Sequence, residues 1–532
     1  MKWLAGVLLV LALAQVLTWQ PSEPFFNNDE TRHVMTGVFF RDLLVDLPLD
    51  RLRPYAVEYY LQYPALGVLV WPPLFYGIEG LFMLVFGTSF LVAKVLVGLF
   101  SAMACVYLFL LVRRTHGTAA AVIAALLLGL SPMVFQLSRQ VMLEMPALAF
   151  ALAAVFYFVR YLDMQRRSDV FLAAAASAAF ALTRYDAHFL LLFFLLCLLG
   201  LRRFDLLRRR EVWLASLLAL AFVVPLYVPM LQEFGRTHLR VTVQGGPDPS
   251  AHRGLLHALW YYPGNLPRQI GWALLVPALA GLVSALRPER RRAAWPYLAL
   301  AAATWLAFTP LAELQARHSI YWVPAFALFA VEGVEWIASR ARTAVAAIVV
   351  CAAFWTAVRS PSPYIRGYEA AARYVVANTS SRFSFMDGFL NGGFIYQVRR
   401  HDPGRRLWVL RGDKILYGVL NDPRGGYKEY AGGEAGILDI LFRYDPDLIV
   451  VEEPQVIFKT AMADRLRQTL ASHPERFELV RSFPVESNVA AFKGVRLDVY
   501  RTKLRNPSPV QRVSFDMMGL GRSLGTAVPR DE

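Results

Sequence analysis

The sequence has little cysteine, with three residues in 532, and all three lie inside apolar runs (Cys105, Cys197 and Cys351). Their spacing fits neither a disulfide framework nor a metal site, so they are interpreted as small buried residues. Charged residues are also scarce, at 18%, whereas hydrophobic residues make up 56%. A soluble domain of this length does not need that apolar fraction, and the composition therefore favours a membrane protein.

The sequence also lacks the glycine pattern of a nucleotide-binding loop. Its glycine pairs, such as Gly392-Gly393, match neither the dinucleotide-binding nor the P-loop fingerprint. The net charge of +15 would suit nucleic acid. However, Lys and Arg cluster in short gaps between apolar runs, as in membrane proteins that follow the positive-inside rule. We therefore predict membrane lipids as partners and no nucleic acid.

Twelve apolar runs are candidates for membrane spans. The first, 3–19, is not followed by an Ala-x-Ala-like site, which favours a retained helix over a cleaved signal peptide. The second, 65–86, contains Trp71-Pro72-Pro73, and paired prolines break helical hydrogen bonding. If this run does not cross, Lys2 and every later basic cluster fall on one face. The sequence thus predicts an α-helical polytopic protein of the plasma (inner) membrane, with about eleven spans, a cytoplasmic N-terminus and an extracytoplasmic (periplasmic) C-terminal domain.

The character of the sequence changes after Ser360-Pro361-Ser362-Pro363, which is typical of a stiff linker. Helical and strand patterns then alternate, and the clearest strand is the β-branched run Leu448–Val451. Together these patterns predict three parts: a transmembrane catalytic module over 1–358 with a first outer loop at 20–87, an extracytoplasmic α/β domain over 359–504, and a disordered tail over 505–532.

Two adjacent carboxylates, Asp29-Glu30, lie in the first polar segment after the N-terminal apolar run. One interpretation is a solvated helix start, because Asn28 can cap the helix and acidic residues suit its N-terminus. The other is a general base, with Arg32 and His33 on the same helical face keeping the carboxylate ionised. The sequence leaves both open.

Further ionisable residues fall on the predicted outer face. Glu144 opens an apolar helix and marks either the membrane interface or a functional site. Arg184 separates two apolar runs, and Arg317-His318 precedes another. Such arginines either snorkel to the interface or bind a phosphate. The full set of predicted substrate and phosphate contacts is Arg32, His33, Arg139, Arg184, Arg317 and His318.

Acidic groups and arginines on one face suit a lipid-linked phosphosugar, whose isoprenoid tail stays in the bilayer while the phosphate lies at the boundary. Transfer of its sugar needs a base that deprotonates an acceptor hydroxyl and a cation that stabilises the departing phosphate. A transporter or flippase of lipid-linked glycans is the alternative. Transporters tend to carry inverted repeats and ionisable groups at mid-membrane. The chain shows no repeat, and its apolar runs are almost devoid of charge.

The order of several motifs resembles the GT-C class of membrane glycosyltransferases, in particular the protein O-mannosyltransferase-like branch and the aminoarabinose transferases of lipid A. The motifs are Asp29-Glu30-Thr31-Arg32-His33, Trp71-Pro72-Pro73-Leu74-Phe75-Tyr76, Phe86-Gly87-Thr88-Ser89-Phe90, Leu130-Ser131-Pro132, and Ser138-Arg139 up to Glu144-Met145-Pro146. The resemblance implies that Asp29, Glu30 and Glu144 are catalytic. Relatives often have Asp where this chain has Glu144.

The resemblance also bears on the partners and cofactors of the protein. Many relatives carry Lys where this chain has Trp71, which shifts the expected phosphate contact to Arg184 and Arg317. The resemblance implies a polyprenyl-phosphate sugar donor, with inversion at the anomeric carbon, and leaves a lipid, glycan or protein acceptor open. Relatives differ in their need for a divalent metal. Asp29 and Glu144 are the predicted ligands if Mg²⁺ or Mn²⁺ is used.

Overall fold

A computed structural model describes residues 2–18, 28–245, 254–419, 426–457, 459–518 and 520–528. Its α-helices are α1 (Lys2–Leu17), α2 (Asn28–Asp46), α3 (Leu52–Gln62), α4 (Leu74–Phe86), α5 (Phe90–Leu130), α6 (Pro132–Leu137), α7 (Glu144–Met164), α8 (Arg167–Ala181), α9 (His188–Gly200), α10 (Arg210–Gln232), α11 (Phe234–Gln244), α12 (Leu255–Ile270), α13 (Trp272–Ala285), α14 (Pro288–Phe308), α15 (Val323–Ile337), α16 (Arg342–Arg359), α17 (Tyr368–Asn378), α18 (Asn391–His401), α19 (Gly412–Ile415), α20 (Glu434–Tyr444) and α21 (Ala461–Ser472).

The strands all follow the last long apolar helix. They are β1 (Ile365–Arg366), β2 (Phe383–Asp387), β3 (Trp408–Arg411), β4 (Tyr417–Val419), β5 (Tyr427–Glu429), β6 (Leu448–Glu453), β7 (Phe477–Pro484), β8 (Glu486–Ser487), β9 (Arg496–Thr502), β10 (Arg512–Met517) and β11 (Arg522–Ala527). The chain divides into two compact units. The first comprises 1–20, 69–75 and 94–362, and the second comprises 21–68, 76–93 and 363–532.

The first unit is built from apolar helices. In the described part of the chain, five helical segments are long and apolar enough to cross a membrane: Phe90–Leu130, Glu144–Met164, Arg210–Gln232, Ala316–Ile337 and Arg342–Arg359. Three shorter apolar helices accompany them, Lys2–Leu17, Tyr185–Gly200 and Trp272–Ala285, and a fourth, Leu74–Phe86, lies mostly in the second unit. The chain is thus an integral membrane protein by composition and architecture, while the count of eleven spans stays a prediction.

Two local features of this unit follow from glycine. The helical segment α5 breaks at Gly117, whose φ of 82° is a conformation that other residues rarely adopt. The break lies between the two apolar runs 88–112 and 118–136 of the sequence. Helices α13 and α15 cross at Gly281 and Gly333, where a Cβ on either residue would collide with backbone atoms of the other helix. Such close backbone approach through small residues is typical of membrane helix pairs.

A five-stranded sheet in the order β3-β2-β6-β9-β7 is the centre of the second unit. Strands β3, β2 and β6 are parallel, with Phe385 opposite both Leu410 and Ile449. Strand β9 pairs antiparallel with β6 and β7. The buried side chains of Phe385, Ile449 and Val499 form part of the core beneath the flanking helices. The predicted strand-containing C-terminal region is therefore present.

The structure differs from the predicted disordered tail over 505–532. Strands β10 and β11 form an antiparallel hairpin, with Val513 opposite Thr526 and Phe515 opposite Leu524. Val513, Phe515 and Met517 alternate along β10 and are all buried, which is the two-residue period of a half-buried strand. That pattern favours a strand, and the interpretation of the whole tail as disordered was wrong.

Most of the first outer loop belongs to the second unit and not to the helical unit with which the sequence grouped it. Helix α2 packs on α18, where Arg399 Nη2 lies 2.6 Å from Asp42 Oδ2. Near the start of both helices, the Thr31 side chain lies so close to Gly392 that a Cβ there would collide with it. Gly392 therefore serves helix packing, because only glycine leaves room for α2 at this point.

Candidate functional site

The acidic pair of the first outer loop lies in the first turn of α2, which begins at Asn28. The two carboxylates differ in accessibility. The Asp29 side chain is 32% exposed, whereas Glu30 is 0% exposed. Arg32 Nη1 lies 3.9 Å from Asp29 Oδ1, one helical turn away, as the spacing predicts. Of the pair, Asp29 is therefore the carboxylate that a substrate can reach.

His33 lies on the buried side of α2. Its Nδ1 is 2.7 Å from the Tyr76 hydroxyl, and the two rings stack with centroids 5.8 Å apart. This contact joins α2 to α4 within the second unit and gives the imidazole a structural partner. Direct contact of His33 with a substrate stays a prediction.

A cluster of charged side chains lies in the first unit, and we call Glu144, Arg184, Asp186, Arg317 and Tyr321 the polar cluster. Arg184 Nη1 donates to Glu144 Oε1 at 2.6 Å, and Arg184 Nε donates to Asp186 Oδ2 at 2.7 Å. The Tyr321 hydroxyl donates to the same Asp186 oxygen at 2.9 Å. Arg317 Nη1 lies 3.6 Å from Glu144 Oε1. Two carboxylates and two guanidinium groups give the cluster a formal charge of zero.

Local structure explains how these groups meet. Glu144 is the first residue of α7, where a carboxylate is stabilised by the helix N-terminus. Arg184 and Asp186 lie in the short turn between α8 and α9. Burial lowers the pKa of Arg184, but Asp186 and Glu144 more than offset this effect and raise it well above its ordinary value. Arg184 is thus a permanent cation held between two carboxylates.

Arg317 and His318 lie in the 3₁₀ segment Ala316–Trp322 that precedes α15. Arg317 is partly exposed, and its Nε donates to Gln315 Oε1 at 2.6 Å. His318 is buried, and its Nδ1 has no hydrogen-bond partner among the residues that the structure describes. Arg317 is therefore the more accessible of the two guanidinium groups that contact Glu144.

Arg139 is buried but does not join the polar cluster. Its guanidinium lies over the Phe135 ring, 4.2 Å from the centroid, and donates to the carbonyl oxygens of Phe135 and Ser360. No ion pair links it to a carboxylate in the described part of the chain. Burial lowers the pKa of Arg139 to about 10, so the side chain is still a cation near neutral pH. A phosphate contact by Arg139 stays a prediction.

Sequence reasoning did not single out Asp186 or Tyr321. Asp186 follows Arg184 by two residues in the same short turn, and that spacing was the available signal for an ion pair. Tyr321 has no comparable signal, because its contact with Asp186 joins residues 135 positions apart. Asp186 fixes Arg184 in place directly, and Tyr321 does so indirectly by holding Asp186.

The environment of Glu144 does not suit a metal ligand. Its Oε1 already accepts from Arg184 and lies near Arg317, and a divalent cation would be repelled by both. Among the described residues, no three His, Cys, Asp or Glu side chains form a group that could hold a metal ion. A divalent cation held by Asp29 and Glu144 stays a prediction.

Comparisons with known proteins bear on the fold. Residues 71–228 match the family described as dolichyl-phosphate-mannose-protein mannosyltransferase, a segment that includes Glu144 and Arg184. ArnT from Cupriavidus metallidurans, solved with undecaprenyl phosphate, superposes with a TM-score of 0.61 at 14% identity, covering 92% of this chain and 98% of ArnT. The chain has the GT-C fold. This result confirms the resemblance to GT-C membrane glycosyltransferases that the motifs indicate.

Two further structures with this fold are more distant. Oligosaccharyltransferase AglB from Archaeoglobus fulgidus, in complex with an inhibitory peptide and a dolichol-phosphate, gives a TM-score of 0.52 at 12% identity, over 85% of this chain and 69% of AglB. Arabinofuranosyltransferase AftD from Mycobacteria gives a TM-score of 0.51 at 14% identity, over 97% of this chain and 41% of AftD. Among curated proteins, no sequence matches this chain.

Proposed function

We propose that this GT-C protein transfers a sugar from a polyprenyl-phosphate-linked donor to an acceptor hydroxyl at the outer face of the membrane. The polar cluster carries this proposal, because ionised groups inside an apolar helical unit are expensive and are usually retained for a function. Glu144 and Arg184 also lie in the segment that matches the mannosyltransferase family. Structures of the same fold hold undecaprenyl phosphate and dolichol-phosphate, which supports a lipid-linked phosphate as the ligand here.

In the proposed reaction Asp29 is the general base. It takes the proton from the acceptor hydroxyl, whose oxygen attacks the anomeric carbon of the donor. The bond between that carbon and the phosphate oxygen breaks, and the polyprenyl phosphate leaves with the electron pair. Attack opposite the leaving group inverts the anomeric centre. Asp29 suits the role of base better than Glu30 because it is the accessible member of the pair.

Arg184 and Arg317 are proposed to stabilise the negative charge that develops on the departing phosphate. Guanidinium groups bind phosphate oxygens through paired hydrogen bonds, and this charge is largest as the glycosidic bond breaks. Glu144 would orient both arginines, since it contacts each of them. The mechanism requires Asp29 and the polar cluster to reach the same substrate, and that convergence is part of the proposal.

The decisive experiment measures sugar transfer in proteoliposomes supplied with a polyprenyl-phosphate sugar. Asp29→Asn should lower turnover at least about 100-fold, the lower range for loss of a general base. Asp50→Asn is the matched control, because Asp50 is an exposed carboxylate of the same loop and should be replaceable without effect. Unchanged turnover in Asp29→Asn, with Asp50→Asn also active, would remove Asp29 from the mechanism.

A second measurement tests the phosphate site separately from the chemistry. Arg317→Gln should weaken binding of polyprenyl phosphate about tenfold, as expected for one charge-assisted hydrogen bond. Arg268→Gln, which alters an exposed arginine on α12, should leave binding unchanged. The alternative function, lipid transport, predicts movement of a labelled polyprenyl-phosphate sugar across the bilayer without release of polyprenyl phosphate.

A further inference from the structure

The second unit contains a cleft of about 250 Å³ that the acidic pair and the polar cluster do not use. Helix α3 forms one wall, and residues around the turn at Gly404 form the other. Four cleft-lining residues of α3 are Tyr55, Glu58, Tyr59 and Gln62. Their spacing places them along one face of the helix.

That face of α3 is unusual because each of its four side chains has a hydrogen-bonding group. A helix face that serves packing alone is normally aliphatic. Here Tyr55 donates to Asp46 Oδ2 at 2.7 Å, and Gln62 Nε2 donates to the Arg405 carbonyl at 2.6 Å. Tyr59 donates to Asp42 at 2.6 Å. These bonds fix the tyrosine and glutamine side chains, so the cleft has a preorganised polar floor.

The ionised groups around the cleft balance in sign. Arg405 Nη2 binds Asp46 Oδ1 at 3.0 Å on one side. At the mouth, Arg51 Nη1 and Glu58 Oε2 are 3.9 Å apart, with side chains 58% and 31% exposed. That separation exceeds hydrogen-bond distance, so a ligand hydroxyl beside the pair can accept from Arg51 and donate to Glu58. Two carboxylates and two guanidinium groups favour neither an anion nor a cation.

We propose that this cleft binds one neutral hexosyl unit of a glycan. Sugar hydroxyls both donate and accept hydrogen bonds, which suits a wall of paired carboxylates and guanidinium groups. The volume lies just below the range of about 300–1,000 Å³ typical of drug-sized ligands, so the cleft suits a single ring. The choice of a glycan as ligand rests on the proposed glycosyltransferase function, for which this cleft would hold part of the acceptor.

The test uses the full chain in lipid nanodiscs without any donor lipid. Saturation-transfer NMR would be recorded with methyl α-D-mannopyranoside, methyl β-D-glucopyranoside and methyl β-D-galactopyranoside, and with glucuronate and glucosamine as charged probes. At least one neutral glycoside should bind. Arg51→Gln and Glu58→Gln should each raise its Kd about tenfold. Arg53→Gln, an exposed neighbour on α3 that does not line the cleft, should not.

Three results would overturn the proposal. They are no saturation transfer to any neutral glycoside, equal affinity in Arg51→Gln, Glu58→Gln and Arg53→Gln, or tighter binding of a charged probe. Asp29→Asn should bind the glycoside as well as the unaltered chain does. Glycoside binding by an unaltered chain that shows no transferase activity would reject the proposed reaction alone. If the unaltered chain transfers sugar but binds no neutral glycoside, the proposed role of the cleft alone is rejected.

Discussion

Replacing Arg399 with leucine should destabilise the second unit by about 2–3 kcal/mol. Arg399 Nη2 and Nε lie 2.6 and 3.1 Å from Asp42 Oδ2, and both side chains are buried. Removing one partner of a buried ion pair costs about 3–5 kcal/mol, because the other charge is left without compensation. Asp42 would keep hydrogen bonds from Arg41 at 2.7 Å and Tyr59 at 2.6 Å. The expected loss of stability is therefore near or below the lower end of that range.

The measurement is pulse proteolysis of the full chain in urea, followed on fragments of the second unit. Arg400→Leu is the matched control, because it changes the next residue of the same helix. Arg400 is exposed, and its Nη1 lies 3.5 Å from Glu369 Oε1. An exposed pair of this kind contributes about 0–1 kcal/mol. Equal unfolding midpoints for the two variants would refute the expectation that the buried Arg399–Asp42 pair stabilises the second unit more than the exposed Arg400–Glu369 pair does.

A double substitution separates the pair from its surroundings. Asp42→Asn removes the charge that Arg399→Leu leaves buried, so the double variant should lose less stability than the sum of the two single variants. An additive result would mean that the two side chains do not interact in solution. The same set of single and double variants made in an Asp29→Asn background should give the same coupling. Asp29 lies more than three helical turns from Asp42 along α2.

Two further predictions concern acid stability and topology. Partial burial raises the pKa of Asp46, but hydrogen bonds from Arg405 and Tyr55 outweigh it and hold the pKa below its ordinary value. The stability that this carboxylate contributes is therefore present above about pH 4 and lost as the pH falls through the depressed pKa, so Asp46→Asn should flatten that part of the acid unfolding curve. A reporter fused after Pro363 should lie outside the cytoplasm, and cytoplasmic reporter activity would show that the predicted span count is wrong.

Local patterns predicted much of the second unit. The β-branched run Leu448–Val451 falls within β6, and the alternating helices and strands around it form the sheet and its flanking helices. Such elements are set by residues close together in sequence. The association of α2 with α18 had no local signal, because Asp42 and Arg399 are 357 positions apart. Contacts of this range depend on tertiary packing.

Among the functional residues, too, some had a signal in the sequence and others had none. The positions of Glu144 and Arg184 next to apolar runs were visible in the sequence, and the structure places their side chains 2.6 Å apart. The cleft beside α3 had no such signal, because its two walls come from distant segments. The sequence reveals which charges border an apolar run. It does not reveal which partners neutralise them.

The pairing within the polar cluster constrains how a phosphate could enter it. Arg184 is held by two carboxylates at 2.6 and 2.7 Å, whereas Arg317 is partly exposed and lies 3.6 Å from Glu144. An incoming phosphate would therefore engage Arg317 first, since its side chain is the more exposed of the two. Its negative charge would then compete with Glu144 for both arginines. Because the cluster starts at a formal charge of zero, a bound phosphate would leave an excess of negative charge, and in the proposed reaction this would favour release of the polyprenyl phosphate once the sugar has left.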